Sequence, residues 1–159
     1  MSVILRRLAC AIVVLLGLMA AGTWTAEAFT TRTKAGSYED VKFDLTNAII
    51  ERGLVVDHTG NVGGMLERTG ADVGSTKKLY RAAEYFVFCS AKLSREMMEA
   101  DPANMGLCPF IVFMYEREDK PGEIVVGFHN PIARGSPGSE AAITAVRTLL
   151  SDIIVEATK

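Results

Sequence analysis

The chain predicts an α+β fold, a mostly antiparallel sheet with helices packed on one face. Three observations carry that expectation. The segments after residue 28 alternate as β-α-β-α-β-α-β-β-α. The last two strands are joined by the short polar turn Arg117-Glu118-Asp119-Lys120-Pro121-Gly122, a hairpin by composition. A long amphipathic helix follows them, where a doubly wound fold would need regular βα repeats to the end.

The N-terminus comes first. Met1–Ala28 has a basic start with Arg6 and Arg7, an apolar run from Leu8 to Ala21, and a small-residue end, Ala26-Glu27-Ala28. That is the pattern of a secretory signal peptide cleaved after Ala28, with an uncleaved anchor as the alternative. The apolar run falls short of the roughly 20 residues that a membrane-spanning helix needs. Residues 29–159 then form a single domain, periplasmic or secreted, with no membrane contact after cleavage. Removal of residues 1–28 takes the net charge from −2 to −3. No basic patch interleaved with aromatic residues occurs, so nucleic acid is not an expected partner.

Phe29–Lys34 alternates and is rich in Thr, as a first strand should be. Ser37 is placed to cap a helix, with Asp40 three residues on. Tyr38, Val41, Leu45, Ala48 and Ile49 recur at helical spacing, and Gly53 stops the helix. Leu54–Asp57 predicts a short strand. Val62, Met65, Leu66 and Thr69 mark one face of a second helix. Ala82–Cys89 is apolar on both faces, which predicts a strand in the middle of a sheet or covered on both faces. Ser90 caps a helix over Ala91–Ala100, with Leu93 and Met97 inward, and Asp101-Pro102 ends it. Phe110–Glu116 and Ile124–His129 are the hairpin strands. Ser136, with Pro137 at the first helical position, predicts the start of the last helix. Its apolar stripe is Ala142, Val146, Leu149, Leu150, Ile153 and Ala157.

Chemistry-bearing residues are few. Cys89 and Cys108 each sit at a strand–helix junction. An even count in an exported chain makes a structural disulfide the first expectation. It would close a loop of about 20 residues and stabilise by roughly 3 kcal/mol in the chain-entropy model. The alternatives are two buried thiols, or a thiol site for a soft metal, a haem or a sulfur substrate. Met97, Met98 and Met105 fall between the cysteines, although Met97 is also on its helix's core stripe. His58 and His129 each follow a strand, and with the two cysteines they would make a tetrahedral site only if four elements converged. No spacing typical of a metal site is present, and the metal is left unknown. Gly60-Asn61-Val62-Gly63-Gly64 precedes a helix but lacks the Lys-Ser/Thr of a phosphate loop, and reads as a turn. Asp57 and Glu67 are isolated carboxylates, and Ser94 and Ser136 lack a base. No catalytic residue is assigned.

The segments also carry a resemblance. Glu51-Arg52-Gly53-Leu54 ends a helix before an apolar strand. An acidic helix runs to Asp101-Pro102, Cys108-Pro109 opens a strand, and Gly127-Phe128-His129-Asn130-Pro131 follows the last one. In that order, from about Thr30 to Pro131, the chain resembles the bacterial domain of unknown function 302. The resemblance implies a small α+β domain whose curved antiparallel sheet grips a helix, often as a homodimer. It implies no activity. The functional expectation is a non-enzymatic module that binds a small ligand or a protein partner, with no resident cofactor. The alternative is a redox or soft-metal/sulfur-handling protein that uses Cys89 and Cys108.

Overall fold

The computed structural model describes residues 28–133 and 136–159. The cleavage signal of Met1–Ala28 therefore lies, but for its last residue, outside the described residues. The elements are β1 (Phe29–Ala35), α1 (Tyr38–Ile50), β2 (Val56–Asn61), α2 (Val62–Thr69), β3 (Tyr80–Phe88), α3 (Ala91–Ala100), a 3-10 turn (Pro102–Leu107), β4 (Phe110–Arg117), β5 (Glu123–His129) and α4 (Ser139–Ala157). The five strands form one sheet in the order β1-β5-β4-β3-β2, every neighbouring pair antiparallel. This is the expected α+β architecture. Among the described residues no helix is long and apolar enough to cross a membrane.

Strand alternation gives the sheet two faces. Phe86 and Phe88 of β3, Phe110, Val112 and Met114 of β4, and Ile124, Val126 and Phe128 of β5 share one face and are buried. The predicted stripe of α1 closes over them: Tyr38, Val41, Leu45, Ala48 and Ile49 are all buried. Met97 of α3 and Ile143, Val146, Leu150, Ile153 and Ile154 of α4 complete that core. A part-buried polar network borders that core. The Tyr38 hydroxyl donates to Glu84 at 3.2 Å, and Lys42 Nζ lies 2.7 Å from the same carboxylate. Burial first, and then the Glu84 charge, push Tyr38 ionisation well above the ordinary tyrosine range.

Three expectations shift. The second strand is Val56–Asn61 rather than Leu54–Asp57. His58 to Asn61 pair with β3 beyond a register shift, while Leu54 packs on the core and Val55 is exposed. The last helix begins at Ser139, not at Pro137. Ser136 does not cap it, because its hydroxyl donates to Ala100 O at 2.6 Å and its amide to Asp101 Oδ2 at 3.1 Å. Finally, the short α2 buries none of its residues. It leans on the face opposite the other helices, where a Cβ on Gly63 would come within 3.6 Å of the Ala83 side chain. Asn61 caps it, accepting from Gly64 N at 2.6 Å, so the glycine-rich segment is a helix start.

Candidate functional site

Two features stand apart from the core: the junction of β3 and β4 with their neighbouring loops, and the second face of the sheet. The first is the cysteine pair. Phe88 pairs with Phe110, so the end of β3 and the start of β4 bring Cys89 and Cys108 together. Their Sγ atoms are 3.2 Å apart. A disulfide would need about 2.0 Å. Both are free thiols, so the expected bridge is not formed here although its pairing is. Ser94 Oγ, one turn into α3, lies 3.5 Å from Cys108 Sγ. Burial, helped by the hydrogen bond to Cys108, pushes the Cys89 thiol up to about 11. The pair is held close and is partly exposed, and the Cys89 thiol stays protonated at neutral pH.

The other sequence candidates do not join it. Met97 is fully buried in the core and fills space there. His58 pairs with Val87 in β2, and Val87 pairs with Ile111. The β4–β5 register places His129 level with Ile111, three strand spacings, or about 14 Å, from His58. The tetrahedral site of two histidines and two cysteines is therefore not assembled. Among the described residues no cluster of three or more His, Cys, Asp or Glu side chains is placed to hold a metal ion.

The second feature is the sheet face opposite the helices of the core, which is mostly open. It carries Phe29 of β1, His129 of β5, Ile111, Phe113 and Tyr115 of β4, and Ala83, Tyr85 and Val87 of β3. Phe29 and Ile111 are about half exposed, at 49% and 46%. Cross-strand rows explain the relief. One row reads Thr31, Gly127, Phe113, Tyr85, Gly60 from β1 to β2. The Phe113 ring lies over Gly127 and the Tyr85 ring over Gly60, so the rings splay outward to opposite edges. Phe113 is also stacked with Tyr115, centroids 6.2 Å apart, and Phe29 meets its edge at 5.9 Å.

Between the splayed rings is an open trough of about 400 Å³, with Ala83, Ile111, Phe113 and Tyr115 along it and Val62 of α2 at its side. The residues are visible in the sequence as the second apolar face of β3 and β4. The missing signal is that α2 is too short to cover that face, a fact of length and packing rather than of local pattern.

A comparison with curated proteins finds no match. The crystal structure of an uncharacterized conserved DUF302 protein from Bacillus stearothermophilus superposes with a TM-score of 0.67, covering 84% of this chain and all of that one at 11% identity. At that identity the likeness establishes the fold alone. The family model described as "Domain of unknown function DUF302" matches residues 29–157, nearly the whole stretch from β1 to the end of α4, and the chain belongs to that family.

Proposed function

We propose that this chain is an exported, non-enzymatic binding domain and that its ligand site is the trough on the open sheet face. One observation supports the reading above others: four large side chains, Tyr85, Ile111, Phe113 and Tyr115, border a concave space that no helix among the described residues fills. Its volume lies within the roughly 300–1,000 Å³ of small-molecule sites. Rings seated over glycines do not have to rearrange to open it, which lowers the cost of binding. Apolar rings and aliphatic groups line the trough, a surface suited to holding a molecule rather than to acid–base work. Export rests on the Met1–Ala28 pattern.

The test is a titration with the neutral fluorophore N-phenylnaphthylamine. Wild type is expected to bind it, and Ile111→Glu, which puts a charge into the trough at a half-exposed position, to lose roughly tenfold or more in affinity. Unchanged binding in that variant would remove the trough reading. A second copy seated on the same face would compete with the probe, and a monomer at micromolar concentration in sedimentation eliminates that occupant.

The 3.2 Å separation of the thiols favours a second reading, a redox or soft-ligand site at Cys89 and Cys108. Native mass spectrometry of periplasmic protein, purified without reductant, separates the two. A mass two hydrogens below the reduced value means a closed bridge. An added metal or cofactor that disappears in Cys89→Ser and Cys108→Ser supports the second reading, and its persistence in both variants opposes it.

A further inference from the structure

The trough is not closed at the end away from the cysteines. It shares Tyr80 and Tyr115 with a wider basin of about 660 Å³ bordered by Lys77, Lys78, Arg117, Glu118 and Asp119. The charges of this basin are unevenly matched. Arg117 holds Asp119 in a two-pronged pair, with contacts of 2.8 and 2.6 Å. Lys78 Nζ lies 3.6 Å from Glu118. Lys77 makes no hydrogen bond or ion pair among the described residues. Both carboxylates of the basin thus have cationic partners, and one cation is left over. The one acidic residue along the trough, Glu84, has its carboxylate engaged by Tyr38 and Lys42 of α1, and the rows Tyr115–Ala83 and Phe113–Tyr85 are apolar or phenolic.

On the reading that the trough is the ligand site, we propose that its ligand is an amphipathic anion. An apolar, ring-sized body lies against Tyr85, Phe113 and Tyr115, and a carboxylate, sulfonate or phosphate group sits in the basin at Lys77. A cation would meet an unmatched ammonium there. A neutral apolar molecule would gain from the rings but leave the basin unused.

Two probes with one ring skeleton test this on the full mature chain: anilinonaphthalene sulfonate, which carries the anion, and neutral N-phenylnaphthylamine, which does not. At low salt the sulfonate is expected to bind at least about threefold more tightly than the neutral probe, and Lys77→Glu to weaken it about three- to tenfold while leaving the neutral probe unchanged. Salt near 1 M should erase the difference, because screening at that strength acts over about 3 Å. Equal affinities, or a sulfonate affinity indifferent to Lys77→Glu, overturn the anion assignment, while loss of both probes in Ile111→Glu keeps the trough. If Ile111→Glu, folded by circular dichroism, binds both probes as wild type does, the trough and its ligand class both fall.

Discussion

The two faces of this sheet are built from the same kinds of residue and end in opposite states. On one, Phe86, Phe88, Val112 and Phe128 are sealed beneath α1, α3 and α4. On the other, Tyr85, Ile111 and Phe113 belong to the same strands and remain in contact with solvent. The difference is in the cover. Three helices with apolar stripes serve the first face, while the second receives the eight residues of α2, held at its edge by Gly63 against Ala83. Apolarity alone therefore does not mark a core. It marks a surface that must be covered by something, and here the described residues supply too little.

The largest test of that contrast is a matched pair of truncations. Phe88→Ala, at a fully buried ring, is expected to cost about 3–5 kcal/mol in urea unfolding, whereas Phe113→Ala on the open face should cost about 1–2 kcal/mol. Equal losses would mean that the open face is as tightly packed as the core.

The next test concerns the glycines beneath the splayed rings. A Cβ at Gly127 would come 2.7 Å from the Thr30 carbonyl and 2.8 Å from Phe113, so backbone of β1 is in the way. At Gly60 the obstruction is the Tyr85 ring alone, which can turn aside. Gly127→Ala is expected to destabilise by about 2–3 kcal/mol and Gly60→Ala by about 1 kcal/mol, within the range for overpacking. Both should disturb the trough, Gly60→Ala by displacing Tyr85 and Gly127→Ala by pressing on Phe113, and shifts in the ring resonances of each would report it.

A third prediction sharpens the difference between the trough and the cysteine end. The Cys89 thiol is pushed from 9.0 to about 11 by burial and its neighbour Cys108. Its folded value exceeds its unfolded one, so the stability it contributes is complete below pH 9. That contribution falls as the pH rises from 9 toward 11, where the unfolded chain releases the proton first. Reduced wild type should lose stability across that window, and Cys89→Ser should flatten the loss. Alkylation of Cys89 by iodoacetamide should be slow near pH 8 and accelerate toward 11.

The smallest effect is expected on the solvent side of α3. Arg95 and Glu99 pair at 3.2 Å on the exposed side of α3. Arg95→Ala should change stability by no more than about 0.5 kcal/mol. A larger loss would give α3 a role beyond its one buried contact, Met97.

How much of this was legible depends on how far apart the deciding residues lie. The stripe of α1, the Ser90 cap and the hairpin turn ending at Gly122 are written within a few residues of one another, and each appears where local spacing puts it. The approach of the cysteines follows from the strand–helix–strand order together with the antiparallel pairing of β3 and β4. Ser136 misled because its hydroxyl answers to Ala100, 36 residues earlier, rather than to the helix it precedes. His58 and His129 were equally ambiguous until the strand order separated them.

By itself the sequence determined the kinds of element, their order, and which side chains share a face within each, because propensity, capping and periodicity act over a turn or a strand. Tertiary structure decided which face was left open. It also decided that Gly60 and Gly127 lie beneath rings from other strands, and that Lys77 has no hydrogen bond or ion pair among the described residues beside a basin drawn from residues 77–80, 115 and 117–119. Those outcomes depend on register between strands and on the length of a helix measured against the sheet beneath it. Both are relations between distant parts of the chain, and no local pattern encodes them.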